Sequence, residues 1–222
     1  MRALRIGLMV PINNTTMEGE LLQWLPAGSS CKTIKIPRGA GLLTRETVPA
    51  YKAKALELAR DFADDDLDAV VYGCTAAGFI YGPSGDAALA AELADITGAP
   101  VVTTARAMVE ALEHSEARDV AVVTPYGDVV NRQLTAFLAE SDIRVTRLRT
   151  FNASSVEQLG RITAHQVAAL ARDTVTPDSD ALFIACSQLP THAIVGALQT
   201  ELQRPVWSSI QASAWQTKEQ LS

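Results

Sequence analysis

The chain has 222 residues, 48% of them hydrophobic, with a formal net charge of −6 and an isoelectric point of about 5.1. This length suffices for one large domain or two small ones with their own cores. The acidic balance and the lack of a basic run argue against nucleic acid as a partner. No apolar run reaches the roughly 20 residues that span a bilayer, and the N-terminus lacks the features of a signal peptide. Three cysteines without C-x-x-C spacing predict a cytoplasmic protein with reduced thiols.

Short runs of β-forming residues alternate with amphipathic helical patterns along the whole chain. Eight candidate strands occur in this order: RIGLMV (5–10), CKTIKI (31–36), AVVYG (69–73), VVTT (101–104), VAVVTP (120–125), RVTRLRT (144–150), ALFIAC (181–186) and VWSS (206–209). In the helical pattern after the second strand, Tyr51, Ala55 and Phe62 fall on one stripe, and Pro49 suits a first helical turn. Such alternation predicts mostly parallel sheets with helices on both faces.

The order of these motifs repeats in the second half of the chain. IGLMVPINNTTMEGELL resembles VAVVTPYGDVVNRQLTAFL, LDAVVYGCTAAGF resembles SDALFIACSQLPT, and TGAPVVTTARAMVEAL resembles LQRPVWSSIQASAWQ. The matched anchors lie 114, 112 and 105 residues apart: Pro11 with Pro125, Cys74 with Cys186, and Pro100 with Pro205. The repeat predicts two similar Rossmann-like lobes, each with a four-stranded, mostly parallel sheet, related by a pseudo-twofold axis. We expect the lobes at residues 1–103 and 104–209, with a last helix at 210–222 packed back on the first lobe.

Two of the three cysteines occupy matching positions in this repeat. Cys74 and Cys186 each follow a buried strand, at the sheet edge where open α/β folds bind ligands. A buried cysteine can also pack as a small hydrophobe, but the matching positions favour two sulfurs facing each other across one cleft. We expect backbone N–H groups of a following helix to lower the pKa of each thiol. Thr75 and Ser187 come next and add hydroxyls that can bind an anionic substrate. Cys31 has no counterpart and is interpreted as a packing residue.

Opposed thiols suit proton transfer at both faces of a carbon beside a carboxylate. One thiolate removes a proton from that carbon or adds to it, and the other thiol delivers a proton from the opposite side. The configuration then inverts, or a double bond isomerises. Because hydrogen bonds can stabilise the developing enolate, this chemistry predicts neither a metal nor an organic cofactor. The three histidines share no metal-ligand spacing, and the sequence has no G-x-G-x-x-G loop.

Four stretches of the chain resemble a known family. VPINNTTMEGE, YGCTAAGF, TPYGDVVN and CSQLPT with PVWSSIQASAW are similar to the aspartate/glutamate racemase superfamily, in the branch of maleate cis-trans isomerase and arylmalonate decarboxylase. The resemblance covers nearly the whole chain and puts the family's two catalytic positions on Cys74 and Cys186. Maleate isomerases have cysteine at both positions, whereas the decarboxylases have glycine at the first. The resemblance therefore implies racemase or isomerase chemistry.

The resemblance also implies substrate-binding positions. The family's asparagine after the first strand falls on Asn14, and its tyrosine after the fifth strand falls on Tyr126. Of the family's hydroxyls after the first cysteine, only the one on Thr75 is kept. A further asparagine of the maleate isomerases falls on Val156, which is apolar as in the decarboxylases. The predicted site is therefore mixed, with two thiols and a partly apolar pocket.

Two candidates have structural alternatives. Asn14 belongs to a cluster of Asn and Thr that also suits a helix N-cap, a role compatible with substrate binding. Arg38 follows the second strand on the side of the predicted site. It is a candidate partner for a substrate carboxylate, or else a solvated loop residue.

The sequence leaves three functions open. The first is a cofactor-independent racemase or isomerase of a small carboxylic or dicarboxylic acid. The second is decarboxylation of a disubstituted malonate with Cys186 as proton donor, and Cys74 is the residue that separates these two. The third is a two-lobed protein that binds a small acid without converting it. A small acid is the expected partner in all three, and nucleic acid and membrane are not. The number of subunits stays open, with a homo-oligomer as one option.

Overall fold

A computed structural model of the protein describes residues 1–38 and 41–222. The strands are β1 (Arg5–Pro11), β2 (Ser30–Ile36), β3 (Ala69–Tyr72), β4 (Val101–Thr103), β5 (Asp119–Thr124), β6 (Arg144–Thr150), β7 (Ala181–Ile184) and β8 (Val206–Ser208). The helices are α1 (Met17–Trp24), α2 (Val48–Ala59), α3 (Thr75–Phe79), α4 (Gly82–Thr97), α5 (Thr104–His114), α6 (Asp128–Ala139), α7 (Val156–Gly160), α8 (Ala164–Thr174), α9 (His192–Leu202) and α10 (Ser209–Gln220). All eight predicted strands are thus confirmed, with ends shifted by at most two residues.

The strands form two four-stranded sheets with the same topology. The first sheet has the order β2-β1-β3-β4, the second has the order β6-β5-β7-β8, and every pair is parallel. All residues of the central strands β3 and β7 are buried, as expected for parallel strands with both faces covered. The predicted α/β architecture of two similar lobes is confirmed at the level of strands and sheets.

The regular strands end before the cysteines. β3 ends at Tyr72, one residue before the end of the predicted strand, and β7 ends at Ile184, two residues before the end of the predicted one. The neighbouring strands β4 and β8 have only three residues each, so the ladder on that side stops early. On the side of β3 that faces β1, a further hydrogen bond from the Gly73 N–H to the Met9 carbonyl (2.7 Å) extends the pairing by one residue. Both cysteines therefore lie in the connections beyond the sheet edge.

The last helix, α10, joins the two halves of the molecule. It packs most extensively on α5, and it also contacts α1, β3 and β4 of the first half and β8 of the second. Because α5 itself touches both β4 and β8, the boundary between residues 103 and 104 stays a prediction. Among the helices of the described ranges, none has the length and apolar character needed to cross a membrane.

Candidate active site

The two cysteines of the repeat line one small cavity between the sheets. The cavity has a volume of about 50 Å³, and both side chains are largely buried, with Cys74 5% and Cys186 8% exposed. Because β3 and β7 hold equivalent places in their sheets, the connections that follow them come to the same region. The walls of the cavity are formed by Pro11, Asn13, Asn14, Arg38, Leu42, Leu43, Cys74, Thr75, Ala76, Tyr126, Gly127, Val130, Leu159, Cys186, Ser187 and Gln188.

Most of the predicted site residues meet in this cavity, and one does not. Asn14, Arg38, Thr75, Tyr126 and Ser187 line it together with the cysteines. The structure does not place Val156 in the wall. It is the first residue of α7, whereas the apolar side chain that reaches the cavity is Leu159, about one turn further on. The resemblance to the family assigns a place in the wall to Val156. In the structure, the short helix α7 directs Leu159 towards the cavity instead.

Cys74 stands at the start of a helix. It is the N-cap residue of α3, in an extended conformation, and its side chain makes no hydrogen bond to the first turn of the helix. Burial raises the pKa of the Cys74 thiol to about 11. The Ala77 N–H and the positive charge of Arg38 oppose that rise, while the second thiol, Cys186, adds to it. The mutual influence of the two sulfurs reflects their place in one cavity.

Cys186 is held by a turn instead of a helix. The turn closes with a hydrogen bond from Leu189 N–H to the Cys186 carbonyl (3.2 Å), and α9 begins only at His192. Pro190 explains the delay, because the residue before a proline avoids the helical conformation. The expectation that both cysteines precede helix starts is therefore wrong for Cys186. Its sulfur instead accepts the Gln188 N–H at 3.4 Å.

The predicted lowering of both thiol pKa values is also wrong for the cavity without substrate. Burial raises the pKa of Cys186 as well, although the N–H groups of Gln188 and Leu189 and the Tyr126 hydroxyl act in the opposite direction. The sequence argument identified the N–H groups but not the desolvation, which is larger because the sulfurs lie in an apolar cavity. Both groups are therefore thiols at neutral pH.

The hydroxyls that follow the cysteines connect the two halves of the molecule. The Thr75 hydroxyl donates to Ser209 Oγ at the start of α10 (3.2 Å). The Ser187 hydroxyl donates to the Gly73 carbonyl (2.6 Å), directly before Cys74. Both hydroxyls line the cavity, but these bonds give them a first role in holding the two cysteine segments against each other.

Asn14 has a similar role. Its amide Nδ2 donates to Ser187 Oγ (3.0 Å) and to the Ser187 carbonyl (3.2 Å). Its Oδ1 accepts the N–H groups of Thr16 and Met17, each at 3.0 Å, at the beginning of α1. The side chain is 2% exposed. Asn14 thus caps a helix of one half and fixes the Cys186 segment of the other, with both amide atoms already engaged.

Arg38 brings a positive charge to the cavity. Its Nε and one terminal nitrogen, Nη2, are buried and make no hydrogen bond to any residue within 1–38 or 41–222. The charge is close enough to lower the pKa of both thiols. An unpaired guanidinium at the wall of a cavity is well suited to bind a carboxylate.

The structure adds residues that the sequence did not single out. Asn13 lines the cavity, and its buried Oδ1 has no partner among the described residues. Gln188 is also in the wall, and its amide bonds to Thr15 of the first half (Nε2 to Oγ1, 3.2 Å). An apolar part of the wall comes from Leu42, Leu43, Val130 and Leu159. The adjacent asparagines 13 and 14 pointed to this stretch in the sequence. In the structure, it is Asn13 that lines the cavity with an amide oxygen that has no partner among the described residues.

Tyr126 lies between the two cysteine segments. It is 6% exposed, and its ring packs edge-on against Phe79 of α3 with centroids 5.7 Å apart. It lines the cavity together with Cys186 and Thr75, and its hydroxyl acts to lower the pKa of the Cys186 thiol. Burial raises its pKa well above the ordinary value, so the phenol keeps its proton and is a hydrogen-bond donor.

The third cysteine lies apart from the cavity. Cys31 is half-buried in β2, and burial together with Glu18 raises its pKa to about 12. In the part of the chain that the structure describes, no three side chains of His, Cys, Asp or Glu form a group that could hold a metal ion.

Comparisons with known proteins agree on one family. The arylmalonate decarboxylase family model matches residues 6–222. A maleate isomerase from Nocardia farcinica (strain IFM 10152) is 30% identical over 221 residues, which cover 95% of this chain and 87% of the relative. An arylmalonate decarboxylase from Bordetella bronchiseptica is 32% identical over 179 residues, 80% of this chain and 75% of the relative. The solved structure of a mutant Nocardia farcinica maleate cis-trans isomerase with a covalently bound succinylcysteine intermediate superposes with a TM-score of 0.89 at 27% identity, covering 99% of this chain and 93% of the other.

Proposed function

Because the chain belongs to the arylmalonate decarboxylase family, we propose that it is a cofactor-independent isomerase or racemase of a small carboxylic acid that uses Cys74 and Cys186. One observation carries this proposal: two buried thiols from equivalent positions of the two sheets line the same cavity. A maleate isomerase relative with a covalently bound succinylcysteine supports thiol chemistry in a fold of this shape. A cavity of about 50 Å³ suits a small molecule.

The wall residues suggest how the substrate binds. A carboxylate of the substrate pairs with the guanidinium of Arg38, whose buried Nε and Nη2 have no partner among the described residues. The Asn13 side chain lies at the same wall and adds polar contacts. The carbon beside the carboxylate then lies between the two sulfurs.

The reaction needs one thiolate and one thiol, so one of the two thiols first gives up its proton to water, a loss that the positive charge of Arg38 favours. The thiolate of one cysteine removes the proton from the carbon beside the carboxylate, or adds to a carbon of a double bond, and an enolate forms. Hydrogen bonds stabilise this charge, with Tyr126 as a phenol that keeps its proton. The second thiol protonates the opposite face, which inverts the configuration. After addition, rotation about the new single bond and elimination of the thiolate give the other double-bond isomer.

A decarboxylase is the second candidate. The apolar wall of Leu42, Leu43, Val130 and Leu159 could hold an apolar substituent of a disubstituted malonate, and Cys186 would protonate the enolate that remains after carbon dioxide leaves. Cys74 argues against decarboxylation as the main activity, because the resemblance places this cysteine where the decarboxylases have glycine.

One experiment separates these functions. The protein is incubated in deuterated water with maleate, with single enantiomers of small α-substituted acids, and with a disubstituted malonate, and the products are followed by NMR. The proposed function predicts cis-trans conversion, or exchange of the α-hydrogen with loss of optical activity. Release of carbon dioxide without these conversions establishes the decarboxylase, and binding without any reaction establishes a binding protein.

A further inference from the structure

The carboxylate of Glu20, in α1, accepts hydrogen bonds from the start of α9 in the other half of the molecule. The Thr191 N–H donates to Oε1 (2.8 Å) and Oε2 (3.1 Å), and the Thr191 hydroxyl donates to Oε2 (2.9 Å). The His192 N–H also donates to Oε2 (3.0 Å). Thr191 is the N-cap residue of α9 and is 1% exposed, but its own side chain does not cap the helix. The first N–H groups of a helix have no partner within it and favour a negative charge, so Glu20 supplies the cap from outside.

This cap closes the segment that begins with Cys186. Thr191 comes five residues after Cys186, and Pro190 lies directly before it. Because a proline has no N–H and keeps the preceding residue out of the helical conformation, α9 cannot extend back towards the cysteine. The far end of the segment is therefore fixed by the group that holds Thr191.

The near end of the same segment is also held from the first half. Asn14 Nδ2 donates to Ser187 Oγ (3.0 Å), and the Thr15 N–H donates to Gln188 Oε1 (3.1 Å). Residues 14–20 thus contact the segment both directly after Cys186 and at its far end. A short turn that is fixed at both ends leaves its sulfur little freedom to move out of the cavity.

The segment of the first cysteine is built differently. Cys74 is itself the N-cap residue of α3, so the helix starts directly after it. With the offset of 114 residues between the proline anchors of the repeat, Glu20 corresponds to Leu134, a fully buried apolar residue of α6. The carboxylate thus stands in the half that faces the segment with a proline and a late helix start.

We infer that Glu20 is a positioning residue: its carboxylate fixes the start of α9 and thereby holds the Cys186 thiol in the cavity. The chemistry assigned to Cys186 rests on the proposed function, whereas the fixing of the segment can be measured without a substrate. A carboxylate suits this place because its oxygens only accept hydrogen bonds, and Thr191 and His192 present donors to both of them. The amide of a glutamine would put its own N–H groups against one of these donors.

Asp180 provides a matched control in the second half. Its Oδ2 accepts the N–H groups of Arg118 (2.9 Å) and Asp119 (2.8 Å) at the beginning of β5. Because β5 and β7 are parallel, these bonds lie at the end of the sheet opposite to Cys186. Asp180→Ala therefore removes a carboxylate from backbone N–H groups without touching the Cys186 segment.

The test is amide hydrogen exchange, followed by NMR, in the full-length protein without substrate. The reporter is the Leu189 N–H, which donates to the Cys186 carbonyl (3.2 Å) and keeps this acceptor when Glu20 is replaced. Its counterpart in the first half is the Gly78 N–H, which donates to the Cys74 carbonyl (3.2 Å). The comparison of the two amides separates a local opening of the Cys186 segment from a general loss of stability.

Glu20→Ala should accelerate exchange at Leu189 about ten- to a hundredfold more than at Gly78, the factor expected for loss of a hydrogen bond to a charged group. Glu20→Gln should give a smaller difference in the same direction, and it keeps the test valid if the alanine variant does not fold. Asp180→Ala should change both amides by the same factor, because it affects only the general stability.

With substrate, Glu20→Ala should lower kcat about tenfold and leave KM nearly unchanged, because the thiol shifts while the rest of the cavity wall stays in place. Asp180→Ala should leave both constants as they are. The inference is overturned if both Glu20 variants change Leu189 and Gly78 by the same factor, or if kcat does not fall. If Leu189 responds as expected but the unmodified protein converts no acid, the proposed function fails while Glu20 still holds the Cys186 segment.

Discussion

The segments around Cys74 and Cys186 occupy the same place in two sheets of the same topology, yet they hold their sulfurs differently. Cys74 is the N-cap residue of α3, and its sulfur makes no hydrogen bond to the first turn, although the Ala77 N–H acts to lower its pKa. Cys186 lies in a turn in which the Gln188 N–H donates to its sulfur (3.4 Å) and the Leu189 N–H donates to its carbonyl (3.2 Å). Both thiols are buried and both have a raised pKa, so their difference lies in the groups that stabilise the thiolate.

The comparison shows which features of the repeat the two halves have in common and which differ. The central strands β3 and β7 deliver the two sulfurs to one cavity, and this needs only the common topology. The connections after them differ, because Pro190 stops a helix from starting at once in the second half. An enzyme that returns a proton to the opposite face has no need for two identical groups. The structure therefore suits two sulfurs with different roles, one as base or nucleophile and the other as acid.

The largest expected effect comes from removing one sulfur. Cys74→Gly should lower isomerisation or racemisation about a hundred- to ten-thousand-fold, as is typical for the loss of a general acid or base. Cys186 alone can protonate only one face, so protonation of an enolate left by decarboxylation should survive. Turnover and thermal unfolding are measured together for Cys74→Gly and Cys74→Ser, with Cys31→Ser as the control thiol.

Glycine in this position should cost up to roughly 1 kcal/mol of stability, which leaves the protein folded. If both Cys74 variants stay folded and convert the substrate at the unmodified rate, then Cys74 is not a catalytic thiol and the two segments have no common chemistry.

The next effect concerns Arg38, whose positive charge acts on both sulfurs. Arg38→Gln removes the guanidinium and should raise KM about ten- to a hundredfold, because a charge-assisted hydrogen bond contributes about 1.5–3 kcal/mol. Steady-state kinetics measures the change, and Arg45→Gln, an exposed arginine of the same loop, is the control. An unchanged KM for Arg38→Gln would show that the carboxylate binds elsewhere in the cavity.

A smaller effect distinguishes the hydroxyls that follow the two cysteines. Ser187 bonds to the Gly73 carbonyl and to Asn14, whereas the Thr75 hydroxyl has one hydrogen bond within the described residues, to Ser209. Ser187→Ala should therefore lower the free energy of unfolding by about 1–3 kcal/mol, and Thr75→Val by about 0.5–1.5 kcal/mol. Urea unfolding of both variants gives the comparison. Equal losses would contradict the view that the Ser187 segment is the more tightly fixed one.

The smallest contrast is in thiol reactivity. Because burial raises both pKa values, alkylation of either cysteine should rise about tenfold per pH unit from pH 7 to 9, without a plateau. Cys186 should react before Cys74, since the Gln188 N–H donates to its sulfur and the Tyr126 hydroxyl also favours its thiolate. Mass spectrometry after short exposure to iodoacetamide identifies the modified residue at each pH. A plateau below pH 8 for either cysteine would show that its pKa is lowered instead.

The sequence by itself determined the strands, their parallel order and the meeting of Cys74 with Cys186, because these follow from hydrophobic patterning and from an internal repeat. It also pointed to Arg38, Thr75 and Ser187, since each stands just after a strand or a cysteine, and the resemblance to the family added Asn14 and Tyr126; all five line the cavity. It could not show that Asn14 is fully engaged between the halves, or that Leu159 replaces Val156 in the wall. Only the tertiary structure decided these points, together with the raised thiol pKa values. Burial, the direction of a short helix and the partners of a side chain depend on residues distant in the chain, which no local pattern records.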